Sequence, residues 1–172
     1  MENLTLSTER LQLRTLTKDD LEHFRDLETD EKVMRYLGGI TRDPDDTAAY
    51  LEKQLNSYAD EGIGLFAVFL ASSSNFIGRA GIQPWTIDDK KPWEIGYTLK
   101  PEYWGSGYAT ELASFFRDWA LQKNPGIALV SIIHPENHGS ISVASKIGMR
   151  FNRYIDFKGR KLSVYRLNDR FR

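Results

Sequence analysis

Between a strand-like run, Trp93 to Leu99, and a strongly amphipathic helical segment lies Tyr103-Trp104-Gly105-Ser106-Gly107-Tyr108-Ala109-Thr110-Glu111. Two glycines separated by one residue, with a small alanine two positions on, permit a turn that larger side chains would obstruct. Successive N–H groups can then point into one concavity, and the helix behind them adds the positive end of its dipole. The chain must therefore bring a strand end, a tight turn and a helix start to one point suited to a phosphate or pyrophosphate. Neither common nucleotide motif fits there. The Lys-Ser/Thr of the hydrolytic phosphate loop is missing, as is the third glycine of the dinucleotide fingerprint.

The rest of the chain reads as alternating elements without repeat, low-complexity tract or dividing linker. Leu4, Leu6, Leu11 and Leu13 recur at period two and predict a first strand. Thr17 to Asp20 starts a helix that carries Leu21, Phe24 and Leu27, and a short helical piece covers Glu31 to Tyr36. Asp43-Pro44 opens a further helix, with Asp as cap and Pro in the first turn, and Gly62 closes it. Strands follow at Leu65–Leu70, Phe76–Ile82 and Trp93–Leu99, with a turn at Ser72–Asn75 and a charged loop at Asp88–Pro92. The helix after the glycine turn bears Leu112, Phe115, Phe116 and Trp119 on one side. A buried strand at Ile127–Ile133, a helix at Asn137–Ile147 and strands at Phe151–Phe157 and Leu162–Leu167 complete the order. This predicts one mixed α/β domain over residues 1–172, built round a single twisted sheet and not doubly wound.

Composition excludes several functions. The net charge of −1 gives no global electrostatic case for nucleic acid or an anionic membrane. No apolar run has the length of a membrane span, and the polar opening MENLTLSTER lacks a signal-peptide core. Cysteine is absent, which excludes a thiol nucleophile, a thiolate metal site and a disulfide framework. No metal cluster is evident, and the expected location is the cytoplasm.

The element order, the glycine turn and the segment His134-Pro135-Glu136-Asn137-His138-Gly139-Ser140 together resemble the GNAT superfamily of acetyl-CoA-dependent N-acetyltransferases. Ser7-Thr8-Glu9-Arg10-Leu11-Gln12-Leu13-Arg14, Glu94-Ile95-Gly96-Tyr97, the glycine turn and Asn137 through Met149 are similar to the branch that acetylates ribosomal-protein N-termini. The resemblance spans nearly the whole chain. It implies a mostly antiparallel sheet of about seven strands flanked by helices, with a splayed central parallel pair.

The resemblance also implies site residues. The family's pyrophosphate loop, Gln/Arg-x-x-Gly-x-Gly/Ala, matches Trp104, Gly107 and Ala109, so the cofactor loop is Trp104, Gly105, Ser106, Gly107, Tyr108, Ala109 and Thr110. Trp replaces the usual Gln or Arg, but the donors are mostly backbone N–H groups. The preceding strand is expected to carry a bulge that frees backbone groups of Tyr97, Thr98 and Leu99 for the pantetheine arm. The Leu99 N–H is the first candidate to polarise the thioester carbonyl. Asn137 would hold the arm through its amide, a role compatible with capping its own helix.

Acetylating an amine requires removing a proton from it. Glu94 is the first candidate base, with a solvated or ion-paired acid as its alternative; His134 and Glu136 are rivals. Glu111, one turn into the helix, supports the helix start. Many relatives protonate the departing thiolate with a tyrosine seven residues after the asparagine, and that position here is Ala144. Ser140, Ser142 and Ser145 lie on the same helix, and Ser140 is the first candidate to support the sulfur as a hydrogen-bond donor. Trp85, Trp93, Tyr36, Tyr97 and Tyr103 could line an amine groove with Glu94, or be core.

The expectation is an N-acetyltransferase working by direct attack in a ternary complex, without metal, on a peptide or protein N-terminal α-amine of the ribosomal type. A small amine (a polyamine, amino acid or aminoglycoside) is the alternative acceptor, and a weakly catalytic acyl-CoA-binding module the alternative class. A phosphate-binding scaffold unrelated to CoA is a third. The expected partners are acetyl-CoA and the acceptor, with no nucleic acid or membrane and with room for a homodimer.

Overall fold

The leucines of the opening segment form two strands, not one. In the computed structural model, which describes residues 4–167, β1 (Thr5–Ser7) and β2 (Leu11–Thr15) pair antiparallel with Leu6 opposite Leu13. The Thr8 N–H donates to the Leu11 carbonyl and the Thr8 hydroxyl accepts the Leu11 N–H, at 2.9 and 3.2 Å. The polar triplet Thr8-Glu9-Arg10 thus closes a turn inside what the period-two pattern reads as one run.

Asp20 accepts the Thr17 N–H at 2.7 Å and is gripped by both terminal nitrogens of Arg14, which fixes the entry to α1 (Leu21–Glu28). The short α2 (Glu31–Met34) and the long α3 (Pro44–Glu61) follow. Asp43 caps α3 by accepting the Asp46 N–H, and Gly62 ends it in a left-handed conformation (φ 65°). Then come β3 (Leu65–Leu70), β4 (Phe76–Pro84), β5 (Trp93–Leu99), α4 (Tyr108–Lys123), β6 (Leu129–Ile133), α5 (His138–Lys146), β7 (Met149–Phe157) and β8 (Arg160–Leu167).

The eight described strands form one sheet in the order β1-β2-β3-β4-β5-β6-β8-β7. Every neighbouring pair is antiparallel except β5 and β6. On one face, α4 and α5 cover a core that includes Ile77, Ile95, Leu112, Phe116 and Ile147. On the other, α1 and α3 cover Phe24, Leu27, Leu51, Leu65 and Ala67. Residues alternate along β5, so Trp93, Ile95, Tyr97 and Leu99 face α4 and α5, while Glu94, Gly96 and Thr98 face the α1 and α3 side.

The parallel pair keeps register at two positions only, Trp93 with Leu129 and Glu94 with Val130, and then opens. The expected bulge in β5 is absent. Its register with β4 runs unbroken from Trp93–Pro84 to Leu99–Gly78, and register shifts occur instead in β3/β4 at Val68/Phe69 and in β7/β8 at Phe151/Arg153. Where the ladder stops, other groups occupy the freed positions. Ser131 Oγ donates to the Ile95 carbonyl at 3.2 Å, and the Glu94 carboxylate takes up the Ile132 N–H. Side chains thus satisfy some of the backbone groups that a continuing sheet would pair.

Candidate active site

The opening between β5 and β6 is the centre of a cleft of about 610 Å³. One end is the glycine turn. After a single 3-10 turn at Pro101–Tyr103, Trp104 is extended and its indole donates to the Leu99 carbonyl at 2.8 Å. Gly105 and Gly107 then adopt φ of 76° and 85°, a region that side chains disfavour. Gly105, Gly107, Tyr108, Ala109 and Thr110 line the cleft, and α4 starts immediately behind them. Ser106 instead turns its carbonyl outward, where it accepts Arg10 Nη1 at 3.0 Å.

This contact belongs to a brace that sequence spacing hides. Glu111 accepts from the Thr8 hydroxyl (2.5 Å), the Arg10 N–H (2.9 Å) and Arg10 Nε (2.7 Å), and the Arg10 guanidinium lies 4.4 Å from the Tyr108 ring centre. Burial pushes the Glu111 carboxyl up, but the Thr8 and Arg10 donors outweigh it and hold the group below its ordinary range. Such a carboxylate is a poor base, and its geometry is that of a strut tying the first hairpin to the glycine turn.

Along β5, Lys100 donates to the Ile77 carbonyl of the β4 side at 2.9 Å. By alternation the backbone groups of Thr98, Gly96 and Glu94 also face β4, and those of Ile95, Tyr97 and Leu99 face the opening. Thr98, expected to offer backbone groups to the opening with its neighbours, lines the cleft but directs those groups to β4. Ser131 takes the Ile95 carbonyl and Trp104 the Leu99 carbonyl, so Tyr97 and the Leu99 N–H remain directed at the gap.

From the far side of the gap, α5 contributes Asn137 and Ser140. Asn137 Oδ1 accepts the Ser140 N–H at 3.1 Å and caps the helix. The Ser140 hydroxyl is in hydrogen-bonding contact with the Tyr97 phenol. Burial raises that phenol to about 12, against the opposing pull of Ser140, so it keeps its proton throughout the neutral range. Ala144 is 1% exposed beneath the helix. Ser142 also lines the cleft, whereas Ser145 donates to the Ile141 carbonyl on the exposed side.

Glu94 stands at the last rung of the parallel pair, on the α1 and α3 face. It accepts the Trp85 indole N–H at 2.6 Å. Desolvation raises its carboxyl from the ordinary 4.5 to about 7, against the pull of Trp85 and of the Ile132 N–H. A carboxyl poised there is half ionised at neutral pH and suits proton transfer. His134 also lines the cleft, but its Nδ1 accepts the Glu136 N–H at 3.2 Å. In the neutral ring Nε2 then carries the proton and has no lone pair to offer. Glu136 is exposed and outside the cleft lining.

Of the five aromatics expected at the acceptor groove, Tyr36, Trp85, Tyr97 and Tyr103 line the cleft. Trp93 does not; it packs against the α4 core. Sequence reasoning missed the Tyr97 phenol as a chemical group, the donation from Trp85 to Glu94, and the cations Lys32, Arg42, Arg79 and Arg160 that line the cleft. None has a local sequence signal: the donation from Trp85 depends on how β4 and β5 are joined, and the others on strands and helices brought together from distant positions. Among the described residues no His, Asp and Glu cluster could hold a metal, and no helix is long and apolar enough to cross a membrane.

The chain is similar to known proteins along most of its length. Residues 10–150 match the model of the acetyltransferase (GNAT) domain. Protein YkkB of Bacillus subtilis strain 168 is 30% identical over 161 residues, 93% of each chain. An acetyltransferase from Agrobacterium tumefaciens C58 superposes with a TM-score of 0.83 at 30% identity, covering 98% of this chain and 96% of that one. The ribosomal L7/L12 α-N-protein acetyltransferase RimL, solved with coenzyme A, shares the fold at 13% identity and a TM-score of 0.78, covering 95% and 97%. The sheet with one opened parallel pair, the glycine turn at the helix start and these likenesses agree: the chain belongs to the GNAT family of acetyl-CoA-dependent N-acetyltransferases.

Proposed function

We propose that this acetyltransferase acts on the α-amine of a peptide or protein N-terminus, by direct attack of the amine on the thioester. Glu94 carries the reading. It is the cleft carboxyl poised near neutrality, and it faces the α1 and α3 side from which an acceptor can enter. The glycine turn and the α4 N-terminus fit a pyrophosphate, and the gap-facing groups of Tyr97 and Leu99 fit an amide-rich arm such as pantetheine. Acetyl-CoA supplies the acetyl group as a thioester.

In this mechanism Glu94 takes a proton from the acceptor ammonium, directly or through water, and leaves a free lone pair. The N–C bond forms as the thioester carbonyl becomes an oxyanion, which the Leu99 N–H stabilises. The C–S bond then breaks. Ser140, backed by the Tyr97 phenol, donates a hydrogen bond to the departing thiolate, which takes a proton from solvent, while the nitrogen of the new amide sheds its second proton to solvent. The fixed geometry of the cleft holds amine and thioester together, so no covalent enzyme intermediate is needed.

A polypeptide acceptor is favoured by the rim of the cleft, where Leu37 and Phe157 are each 42% exposed. An apolar rim of this kind can hold a chain that continues beyond its first residue. The cytoplasm, where acetyl-CoA and nascent chains meet, is the proposed place of work. The test is Glu94→Gln, assayed by thiol release with a panel of short peptides and small amines. A loss on the order of 100-fold at neutral pH with unchanged acetyl-CoA affinity is expected. A retained rate, or turnover of small amines but no peptide, overturns the base or the acceptor assignment respectively.

A further inference from the structure

The acceptor end of the cleft is cationic. Arg42, Arg79 and Arg160 line it, with the exposed Lys32 at its rim, and all four share the cleft that Glu94 lines. Glu28, fully buried beside them, accepts Arg79 Nη1 at 2.7 Å and lies 3.4 Å from Arg42. One carboxylate therefore serves two guanidiniums. Both are also fixed against Tyr50, at 4.1 Å for Arg42 and 4.8 Å for Arg79 from the ring centre, so their positions are set before any ligand arrives. Arg160 reaches in from the start of β8, and its Nη2 donates to the Tyr36 carbonyl at 3.2 Å. Among the described residues neither Arg160 nor Lys32 makes an ion pair.

Glu94 does not balance this charge, because it is only half ionised near neutrality and receives the acceptor's proton. An excess of half-buried guanidinium in a cleft is costly unless the bound ligand supplies the counter-charge. The same excess repels a polyamine or an aminoglycoside, whose additional ammonium groups would face arginines. It also favours loss of the proton from an entering ammonium, since like charge disfavours the charged form.

Resting on the amine-acetylation reading above, we propose that the acceptor carries a carboxylate close to its amine. Arg42 and Arg160, assisted by Lys32, hold that carboxylate while the amine meets Glu94. Two sources present this chemistry: an acidic side chain just after the first residue of a peptide, or the α-carboxylate of a free amino acid.

The experiment measures kcat/KM at saturating acetyl-CoA for peptides that begin Ser-Glu, Ser-Gln and Ser-Lys, and for a free amino acid beside its primary amide. Ser-Glu is expected to exceed Ser-Gln by on the order of ten-fold, the scale of one charge-assisted hydrogen bond, with Ser-Lys lowest. If the free amino acid outpaces its amide and all peptides, the α-carboxylate is the source. Arg160→Gln should erase most of the acidic-to-neutral ratio, and Lys32→Gln, on the exposed rim, should reduce it less. Equal rates for Ser-Glu and Ser-Gln together with equal rates for the amino acid and its amide, a preference for Ser-Lys, or a ratio unchanged in both variants overturns the proposal.

If no amine in the panel is acetylated, the amine reading fails by itself and the anion site is read by binding. N-acetylglutamate should shift the Trp85 indole N–H resonance saturably in the wild type and less in Arg160→Gln, while the uncharged diamide should not. No response to the carboxylate overturns the site.

Discussion

Replacing Trp85 by Phe should move the pH dependence of acetylation without removing the base. The indole N–H donates to Glu94 at 2.6 Å and stabilises only the ionised form. A hydrogen bond to a charged group contributes about 1.5–3 kcal/mol, and 1.36 kcal/mol corresponds to about one pH unit. Phe preserves most of the packing against Phe157, whose ring centre lies 4.8 Å from that of Trp85. Water entering beside the smaller ring recovers part of the lost bond, so the lower end of the range applies. The Glu94 carboxyl should therefore rise from about 7 by about one pH unit.

In the proposed mechanism activity needs the ionised form, so kcat/KM is expected to rise with pH through this value and the variant's rise to be displaced upward. At pH 7 the ionised fraction falls from about one half to about one tenth, a loss of about five-fold that should vanish near pH 9. An acceptor α-amine has its own transition at about 7.7–8.0. That transition is common to both enzymes, so the displacement between the two profiles isolates Glu94. The assay is thiol release against pH with subsaturating acceptor and saturating acetyl-CoA. Profiles that coincide, or a rate lowered equally at every pH, would refute the reasoning and reduce Trp85 to a packing residue.

Gly107→Val should fold, since a β-carbon there meets only Arg10 Nη2, at 3.4 Å. Its left-handed backbone is strained by a β-branched residue, however, and calorimetry should find acetyl-CoA affinity strongly reduced. Ser140→Ala should lower turnover by roughly ten-fold. Tyr97→Phe should lower it less, and the double variant should lose less than the product of the two, because one residue acts through the other. Glu94→Gln should melt higher than the wild type at pH 8 and about equally at pH 5. Burial raises the Glu94 carboxyl, so the folded state binds its proton more tightly than the unfolded state does. The stability this provides is complete below 4.5 and is lost as pH rises through about 7, an upper limit of about 3 kcal/mol. Equal melting differences at both pH values would show that the carboxyl is not desolvated.

Elements with strong periodicity were legible in the sequence to within a few residues. Leu65–Leu70 and Trp93–Leu99 have their expected bounds, and Asp43 with Gly62 frames α3 as the capping residues require. The hairpin of β1 and β2 was not legible, because both arms share one alternation and the turn depends on a Thr8 contact. The opening of the sheet was inferred from resemblance with the wrong cause. No residue pattern announces that the Glu94 carboxylate will replace a strand as the partner of Ile132. Cations were the least legible part. Arg42, Arg79 and Arg160 come from a loop, a central strand and the last hairpin, and each alone looks like ordinary surface charge.

In the proposed mechanism the opened parallel pair gives one strand two chemical duties. Glu94 and Tyr97 are three residues apart on β5, so pleating directs them to opposite faces of the sheet. A layer closed by continuous strands would separate those faces completely. Here β6 departs after two rungs, and a reacting group lying in the gap is accessible from both sides. In the proposed mechanism the acceptor loses its proton to Glu94 on the α1 and α3 face, while the leaving sulfur meets Ser140 and Tyr97 on the α5 face. Neither group then has to move or exchange roles during turnover. The Ala144 position need not carry a tyrosine in this arrangement. A phenol already reaches the same helix from the strand, paired with Ser140. Moving the phenol from helix to strand also ties the proposed sulfur-side donor to the rigid element that holds the proposed base. The spacing of Glu94 and Tyr97 is therefore set by the β-strand repeat, not by the packing of a separate helix.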